Sequence, residues 1–512
     1  MDHSPTPEQQ EIMDAAREGK HNMMIQALAG TGKTSTLELI ASVTPVMPTL
    51  ALAFNVKNKK DLEKKFPGHY EVKTINGLGH GAFGRAIGKR LIVEEKKLGT
   101  LITQLFKELD YRGEENDWIV IKQLVSGAMQ QGLVPVPYDR NFRGVVSDTE
   151  ANWQSLDTDM ITVPEHLIAM ARRVLCNSIE ASFNGIISYD DQIYMSTMFG
   201  GVFPRFPRVK VDEAQDLSPL NHIMVQRCAA ELLTVVGDSH QAIYAFRGAD
   251  SSSMNKLRRL RQQWKDLKLS VTFRCPKVIV ARQQDHVPGY TAHVTNETGN
   301  LVRLAEKEQE SWNWQSVIDV AVSGTIAILC RNNAPLLSMA FKLLRKHIGC
   351  VMLGRDIGRG LDALSKKIVP QDDTPTADFI KMVCAWRDNE IYKMQLEDNT
   401  SKIDKITDQT ECLLAVAESS GASTAGDLRK AIKELFARES GRITLSTGHR
   451  AKGLEWQNVI HLDPWRVPSK WAQKALANGN PIPMQQELNL RYVIETRVIN
   501  TLILANLAQF ED

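Results

Sequence analysis

Ala27-Leu-Ala-Gly-Thr-Gly-Lys-Thr34 follows the apolar run Met23–Ile25 and precedes the helix-like stretch Thr34–Ile40. A strand that ends in a Gly-rich turn and reopens as a helix has the layout of a phosphate-binding loop. Gly30 and Gly32 let successive backbone N–H groups turn inward around an anion. Lys33 brings a point charge to the β- and γ-phosphates of a nucleotide, and the Thr34 hydroxyl suits Mg2+. The first loop position is Ala27 where the strict pattern has glycine, a departure of one methyl group.

Working outward, Val211-Asp-Glu-Ala-Gln-Asp216 closes another apolar run with an acidic pair. Asp212 is placed to hold the metal, and Glu213 beside it to activate water. An accidental Gly-rich turn has no use for such a partner. Together the two stretches describe a protein that binds and hydrolyses a nucleoside triphosphate.

A chain of 512 residues suggests about three or four domains of ordinary size. Its 43% hydrophobic and 24% charged residues are those of a globular protein rather than a disordered or fibrous one. The net charge of +2 gives no global attraction for a polyanion. Local clusters are more telling: Lys57, Lys59, Lys60, Lys64 and Lys65, then Lys256, Arg258, Arg259, Arg261, Lys265 and Lys268. Each reads as a solvated helix face or as a polyanion contact. The seven cysteines stand singly, which argues against a zinc or iron–sulfur site and for a reduced, cytoplasmic setting. No apolar run is long enough to span a bilayer, so no membrane partner is expected.

Thr6-Pro7-Glu8 reads as a helix start running to about Arg17. Short β-rich runs follow at Met23–Ile25, Leu50–Phe54, Arg208–Val211, Leu232–Val236 and Leu269–Thr272, with helix-like segments between them. That alternation implies an α/β fold with a parallel sheet. Residues 85–185 look helical instead (Leu101–Leu109, Trp118–Ala128, Glu165–Ser178) and read as an insertion. A second α/β set starts near Leu301, with Thr325–Cys330 as its central strand, and resumes at Arg442–Ser446, Val459–Leu462 and Leu502–Ala505. Residues 370–440 read as a second, small helical insertion. The expected domains are therefore 1–84 with 186–285, the insertion 85–185, then 286–369 with 441–512, and the insertion 370–440.

Further motifs lie beyond the loop. Ser239–Asp250 combines Gln241 with Tyr244, Phe246 and Arg247, a loop able to touch phosphate and stack on bases, although the aromatics fit core packing equally. Thr272-Phe-Arg-Cys-Pro276 and Tyr492-Val-Ile-Glu-Thr-Arg497 each set an arginine beside a β-run, as a salt-bridge residue or as a γ-phosphate contact. Thr447-Gly-His-Arg-Ala-Lys-Gly-Leu-Glu-Trp456 combines a strand end, a tight turn and a helix start, with His449 open to a structural reading.

In order and spacing these stretches resemble the superfamily 1 DNA helicases of the UvrD/Rep/PcrA type, from residue 5 to about 505. Pro5–Gln10 is similar to the adenine-reading Q motif. Gly237–Asp250 is similar to GDxxQxIYxxRGA, Thr447–Trp456 to TxHxxKGLEW, Tyr492–Arg497 to YVxxTR, and Ser188-Tyr-Asp-Asp191 to the segment ahead of the second phosphate-site strand. Ala53-Phe-Asn55, Ser35-Thr36 and Phe273-Arg274 lean towards the F-box DNA helicase subgroup, although no F-box is apparent.

The resemblance implies two RecA-like parallel-sheet domains, each with a helical insertion, that sandwich ATP and Mg2+. By it Ala29, Gly30, Thr31, Gly32, Lys33, Thr34 and Ser35 cradle the nucleotide, with Gln9 and Phe273 near adenine and Gly453 and Glu455 near the ribose. Thr34 and Asp212 hold the metal. Glu213 is the general base, Gln241 senses the γ-phosphate, and Arg274 and Arg497 are arginine fingers. Lys57, Asn58, Thr74, Asn76, Tyr244, Phe246, Arg247, Thr447 and His449 fall where the family meets single-stranded DNA. The implied activity is 3′→5′ ATP-dependent translocation or unwinding, on single-stranded and 3′-tailed duplex DNA, with a replication, repair or nuclease protein as partner.

Several positions depart from the pattern. Val56 stands where many relatives have a base-stacking aromatic, Thr74-Ile-Asn76 replaces Thr-Phe-His, Phe246 replaces Trp, and Ser35 replaces an arginine. The stretch between Arg274 and Thr447 is short, so the second insertion is reduced. Two other readings stay open: a helicase subunit of a nuclease or defence complex, and a non-motor nucleotide switch.

Overall fold

The computed structural model describes residues 4–113, 115–156, 163–243, 253–304, 324–396 and 403–510. The chain divides into two compact units, Met1–Ala27 with Gly32–Leu269, and Leu28–Thr31 with Ser270–Asp512. The phosphate loop itself is split, its crown belonging to the second unit.

In the first unit, strands β1 (Asn22–Ala27), β2 (Thr49–Ala53) and β3 (Tyr70–Thr74) come early in the chain. The short strands β4 (Ile92–Val93) and β5 (Ile186–Ile187) follow and pair with each other. Then come β6 (Phe206–Val211), β7 (Ala229–Gly237) and β8 (Trp264–Leu269). The main sheet runs β3-β2-β6-β7-β1-β8, parallel throughout. All of β2 is buried, as expected of a parallel strand covered on both faces. One face packs Ile12, Leu37, Ile40 and Val236, the other Met24, Leu50, Val211 and Leu233.

Helix α1 (Pro7–Glu18) starts where the Thr6-Pro7 signal places it. Thr6 and Gln9 form a reciprocal capping box, and Gly19 ends the helix at φ 62. Helices α2 (Lys33–Val43), α3 (Val56–Lys65) and α4 (Ile75–Ile87) each follow a strand of the sheet. Between β4 and β5, the helices Lys97–Glu108, Glu115–Gln131 and Glu165–Phe183 enclose a core of their own around Ile102, Leu124, Trp153 and Leu175. Within it Lys97 Nζ meets Asp191 Oδ2 at 2.7 Å, and the Ser178 carbonyl and Ser182 hydroxyl take its other protons.

In the second unit, β9 (Val271–Thr272) pairs with β10 (Thr291–Ala292). A six-stranded sheet runs β11 (Asn300–Arg303), β16 (Val498–Ala505), β15 (Trp456–Leu462), β12 (Ile326–Cys330), β14 (Ile443–Thr447), β13 (Cys350–Met352), all parallel. The helices Thr376–Leu396, Ile403–Ser419 and Ala425–Ala437 fall between β13 and β14. Both sheets have the RecA-like, parallel α/β character that the motifs imply.

Three local readings change. The single strand expected over Leu269–Thr272 is two strands, because the chain passes from one unit to the other at Leu269–Ser270. Strand β3 carries Glu71 and Lys73 among its residues, and its half-exposed edge position left too weak an apolar signal to see. In Thr447–Trp456 the helix follows the strand at once, as Gly448–Ala451, and Trp456 opens β15 rather than a helix.

Candidate nucleotide and nucleic-acid site

Strand β1 ends at Ala27, and Gly32, in the left-handed region at φ 79, is the N-cap of α2. Lys33, Thr34 and Ser35 therefore form the first turn, where backbone N–H groups have no partner within the helix and favour an anion. Strand β6 delivers Asp212, which is buried and donates its N–H to Leu52 O at 3.0 Å. Glu213 sits at φ 52. Such a conformation costs a non-glycine residue about 1–3 kcal/mol and is retained where the surroundings enforce it.

The side chains around this turn form one chain of contacts. Lys33 Nζ lies 3.4 Å from Glu213 Oε2. Gln215 Nε2 donates to the same carboxylate at 2.6 Å, and Gln215 Oε1 accepts the Asp238 N–H at 2.9 Å. Asp238 Oδ2 in turn accepts from Gln241 Nε2 at 2.7 Å. The link from Gln241 to Glu213 thus runs through Asp238 and Gln215, neither of which the motif reading singled out. Burial first, and then the adjacent Glu213, push the Asp212 carboxyl up to about 7, while Lys33 pulls it down. The donor set of Thr34 hydroxyl and Asp212 carboxylate is hard oxygen, which fits Mg2+ completed by phosphate and water.

Gln9 is buried, its Oε1 accepting the Thr6 N–H at 3.0 Å and its Nε2 donating to Thr36 Oγ1 at 3.2 Å. Its amide is thus tied into the cap of α1 and the first turns of α2.

In the second unit the crown of the loop is clamped. The Ala29 N–H donates to the Tyr492 hydroxyl at 2.8 Å, and the Tyr290 hydroxyl donates to Ala29 O at 2.7 Å. Thr31 Oγ1 donates to Leu28 O at 2.8 Å, and the Phe273 N–H to Gly30 O at 2.9 Å. Gly30 has φ 70, and a Cβ there would meet Thr272 Oγ1 at 2.6 Å and Arg274 Cβ at 2.7 Å, so the close approach demands glycine. Nothing in the chain around Tyr290 marked it as half of this clamp.

Arg274 Nη1 reaches Glu455 Oε2 at 3.4 Å, but its Nε and Nη2 are buried without a hydrogen-bond partner. Orphaned guanidinium donors beside a glycine cradle fit an anionic ligand. Arg497 is buried and donates through Nε to Val493 O at 2.9 Å. Burial, and then the positive charge of Arg274, lower it to about 10. Glu495 is fully buried and held by Arg282 at 2.8 and 3.0 Å and by Gln283 at 2.5 Å. Against burial, which favours the neutral acid, contacts from His461 and Arg282 hold it down to about 2.

The residues assigned to DNA are distributed. Lys57 is exposed in the first turn of α3, and the Asn58 N–H donates to the Asn55 cap at 2.8 Å. Thr74 caps α4 by accepting the Gly77 N–H at 3.1 Å, and Asn76 Nδ2 donates to Tyr189 O at 3.0 Å. Thr447 closes β14, His449 lies in the short helix after it, and Gly453 takes φ 81. Tyr244, Phe246 and Arg247 lie outside the described residues. No helix among the described residues is long and apolar enough to cross a membrane.

Residues 92–262 match the UvrD/REP helicase N-terminal domain. F-box DNA helicase protein 1 of Schizosaccharomyces pombe is 24% identical over 522 residues, covering 98% of this chain and 57% of its own length. F-box DNA helicase 1 of Gallus gallus is 24% identical over 536 residues, covering 98% and 49%. ATP-dependent DNA helicase UvrD2 of Mycobacterium tuberculosis is 27% identical over 327 residues, covering 56% and 45%. The chain spans about half the length of these curated relatives. The ordered motifs, the matched domain and these relatives agree in their likeness to the UvrD-type superfamily 1 helicases, with a lean to the F-box DNA helicase subgroup.

Proposed function

We propose that this chain is an ATP-dependent DNA helicase or translocase moving 3′→5′ on single-stranded DNA. The observation that carries the reading is the continuous contact from Lys33 through Glu213, Gln215 and Asp238 to Gln241. It joins a phosphate-site cation and a general base to a polar residue at the head of the segment assigned to DNA.

Lys33 and the first turn of α2 bind the phosphates, with Thr34 and Asp212 as the Mg2+ ligands. The ion supplies charge neutralisation to the phosphate oxygens. Glu213 orients the attacking water and accepts its proton. Gln241 carries the state of the site along the polar chain to the segment that follows it. Arg274 and Arg497 serve as arginine fingers that stabilise developing negative charge. Lys57, Asn58, Thr74, Asn76, Tyr244, Phe246, Arg247, Thr447 and His449 hold the strand. Much of the affinity comes from phosphate contacts and weakens steeply with salt. We assign residues 1–84 with 186–285 and 286–369 with 441–512 to the two motor domains, and 85–185 and 370–440 to their insertions.

The test is steady-state ATP turnover with and without single-stranded DNA, with Lys33→Ala as blank. Stimulation of about tenfold, absent in the variant, supports a DNA-driven motor. Turnover indifferent to nucleic acid sinks it and favours a nucleotide switch. Strand displacement on 3′-tailed against 5′-tailed duplexes decides polarity.

A further inference from the structure

A cavity of about 410 Å³ opens in the first unit where the end of β2 meets the helical insertion. Such a volume suits a small planar ligand. Phe54, Ile193 and Tyr194 give it apolar walls, and Asp190, Asp216 and Asn221 polar ones. Phe54 is 43% exposed. Asn221 is 8% exposed; its Oδ1 accepts the Ser218 N–H at 3.0 Å, while its Nδ2 is buried with no hydrogen-bond partner. A buried amide donor left unmade is rare and asks for a missing acceptor.

The surroundings say what brings that acceptor. Lys57 and Asn58 come three and four residues after Phe54, in the first turn of α3, and Asn76 Nδ2 holds the carbonyl of Tyr189, the residue before Asp190. Residues proposed above to hold the DNA strand therefore flank the cavity.

We propose that this cavity receives one base of the bound strand and selects bases with an exocyclic amine over thymine. The inference rests on the strand-binding reading above and adds base selectivity to it. Aromatic walls stack on any base and discriminate little. The polar groups discriminate. Carboxylates accept amine hydrogens, as Asp and Glu do from the cytosine amine, and the Asn221 Nδ2 donates to a ring nitrogen or carbonyl oxygen. Thymine offers one ring N–H and two carbonyl oxygens, which the two carboxylates repel. A free nucleotide shares this chemistry and is the alternative source of the base.

The experiment titrates the full chain with labelled cytosine and thymine homopolymers of equal length. Asn221→Asp keeps the Oδ acceptor that caps its helix and removes the orphaned donor. Ile193→Phe narrows the cavity and leaves the cap alone, so it carries the test should Asn221→Asp fail to fold. The cytosine-to-thymine affinity ratio is expected to fall about fivefold in each variant, the effect of one good base contact. An unchanged ratio in a folded variant overturns the proposal. Displacement of the cytosine strand by equimolar free deoxycytidine monophosphate also overturns it, in favour of a free-nucleotide pocket. If the wild-type chain binds neither homopolymer, the strand-binding reading itself fails, which is a distinct result.

Discussion

Lys33 Nζ lies 3.4 Å from Glu213 Oε2, so the cation suited to phosphate is held against the carboxylate suited to water. Both side chains are partly exposed, at 14% and 21%, so the pair is within reach of a ligand. Under the function proposed above, a γ-phosphate would compete for Lys33 and release Glu213 to act as base.

Glu213→Gln should therefore lower ATP turnover by about 10²–10⁴-fold, the usual contribution of a general base, with nucleotide binding retained. Lys33→Ala should weaken binding as well. Single-turnover hydrolysis beside a fluorescent-nucleotide titration separates the two effects. Equal losses of affinity in both variants would contradict the division of roles.

Two glycines with positive φ should respond differently to alanine. Gly30→Ala places a Cβ 2.6 Å from Thr272 Oγ1, whereas Gly453→Ala, at φ 81, meets nothing within 4 Å. Gly453→Ala should cost about 1–2 kcal/mol from backbone conformation alone. Gly30→Ala should cost more and also lower ATP affinity. Thermal melts with and without nucleotide check both, and identical behaviour would rule out the steric argument.

Tyr290→Phe and Tyr492→Phe each remove one hydroxyl from the backbone of Ala29, its C=O and its N–H respectively, and the residue is fully buried. The orphaned group should cost about 1–3 kcal/mol, expressed as a weaker hold on the loop and a raised KM for ATP. A double-mutant cycle should show coupling, because both hydroxyls fix the same residue. Strict additivity would mean that the two clamps act independently.

The buried Glu495 supplies a pH signature. Its folded-state value of about 2 lies below its ordinary 4.5, so the stability it contributes is present above about pH 4.5 and lost as pH falls through about 2. That shift corresponds to about 3 kcal/mol, at 1.36 kcal/mol per pH unit. Glu495→Gln should be destabilised by about that amount near neutrality, and its deficit relative to wild type should shrink across this acid window. Urea midpoints at a series of pH values measure it, and a pH-independent deficit would count against an ionised Glu495.

The strand–turn–helix layout of the loop was readable because it depends on neighbours in sequence. Gly30, Gly32, Lys33 and Thr34 lie within five residues, and Asp212 and Glu213 are adjacent, so strand–turn–helix signals and residue type were enough to propose roles for them and to place the loop between β1 and α2. The same holds for the Thr6 cap and for buried strands such as Leu50–Leu52, whose apolar runs need no partner to be recognised. Edge strand β3 and the split at Ser270 were harder, since a half-exposed strand and a change of unit leave little trace in hydrophobic pattern.

Contacts between distant residues were beyond such reading. Strand β1 lies between β7 and β8, more than two hundred residues later in the chain. Tyr290 and Tyr492 close on one residue, Ala29, Gln215 bridges Glu213 to Asp238, and the Asn221 Nδ2 is buried without a partner. Residue types and local spacing state which chemistry a chain can perform. Which groups are clamped, bridged or orphaned follows from packing, because burial and hydrogen-bond partnership belong to the folded neighbourhood rather than to the order of residues.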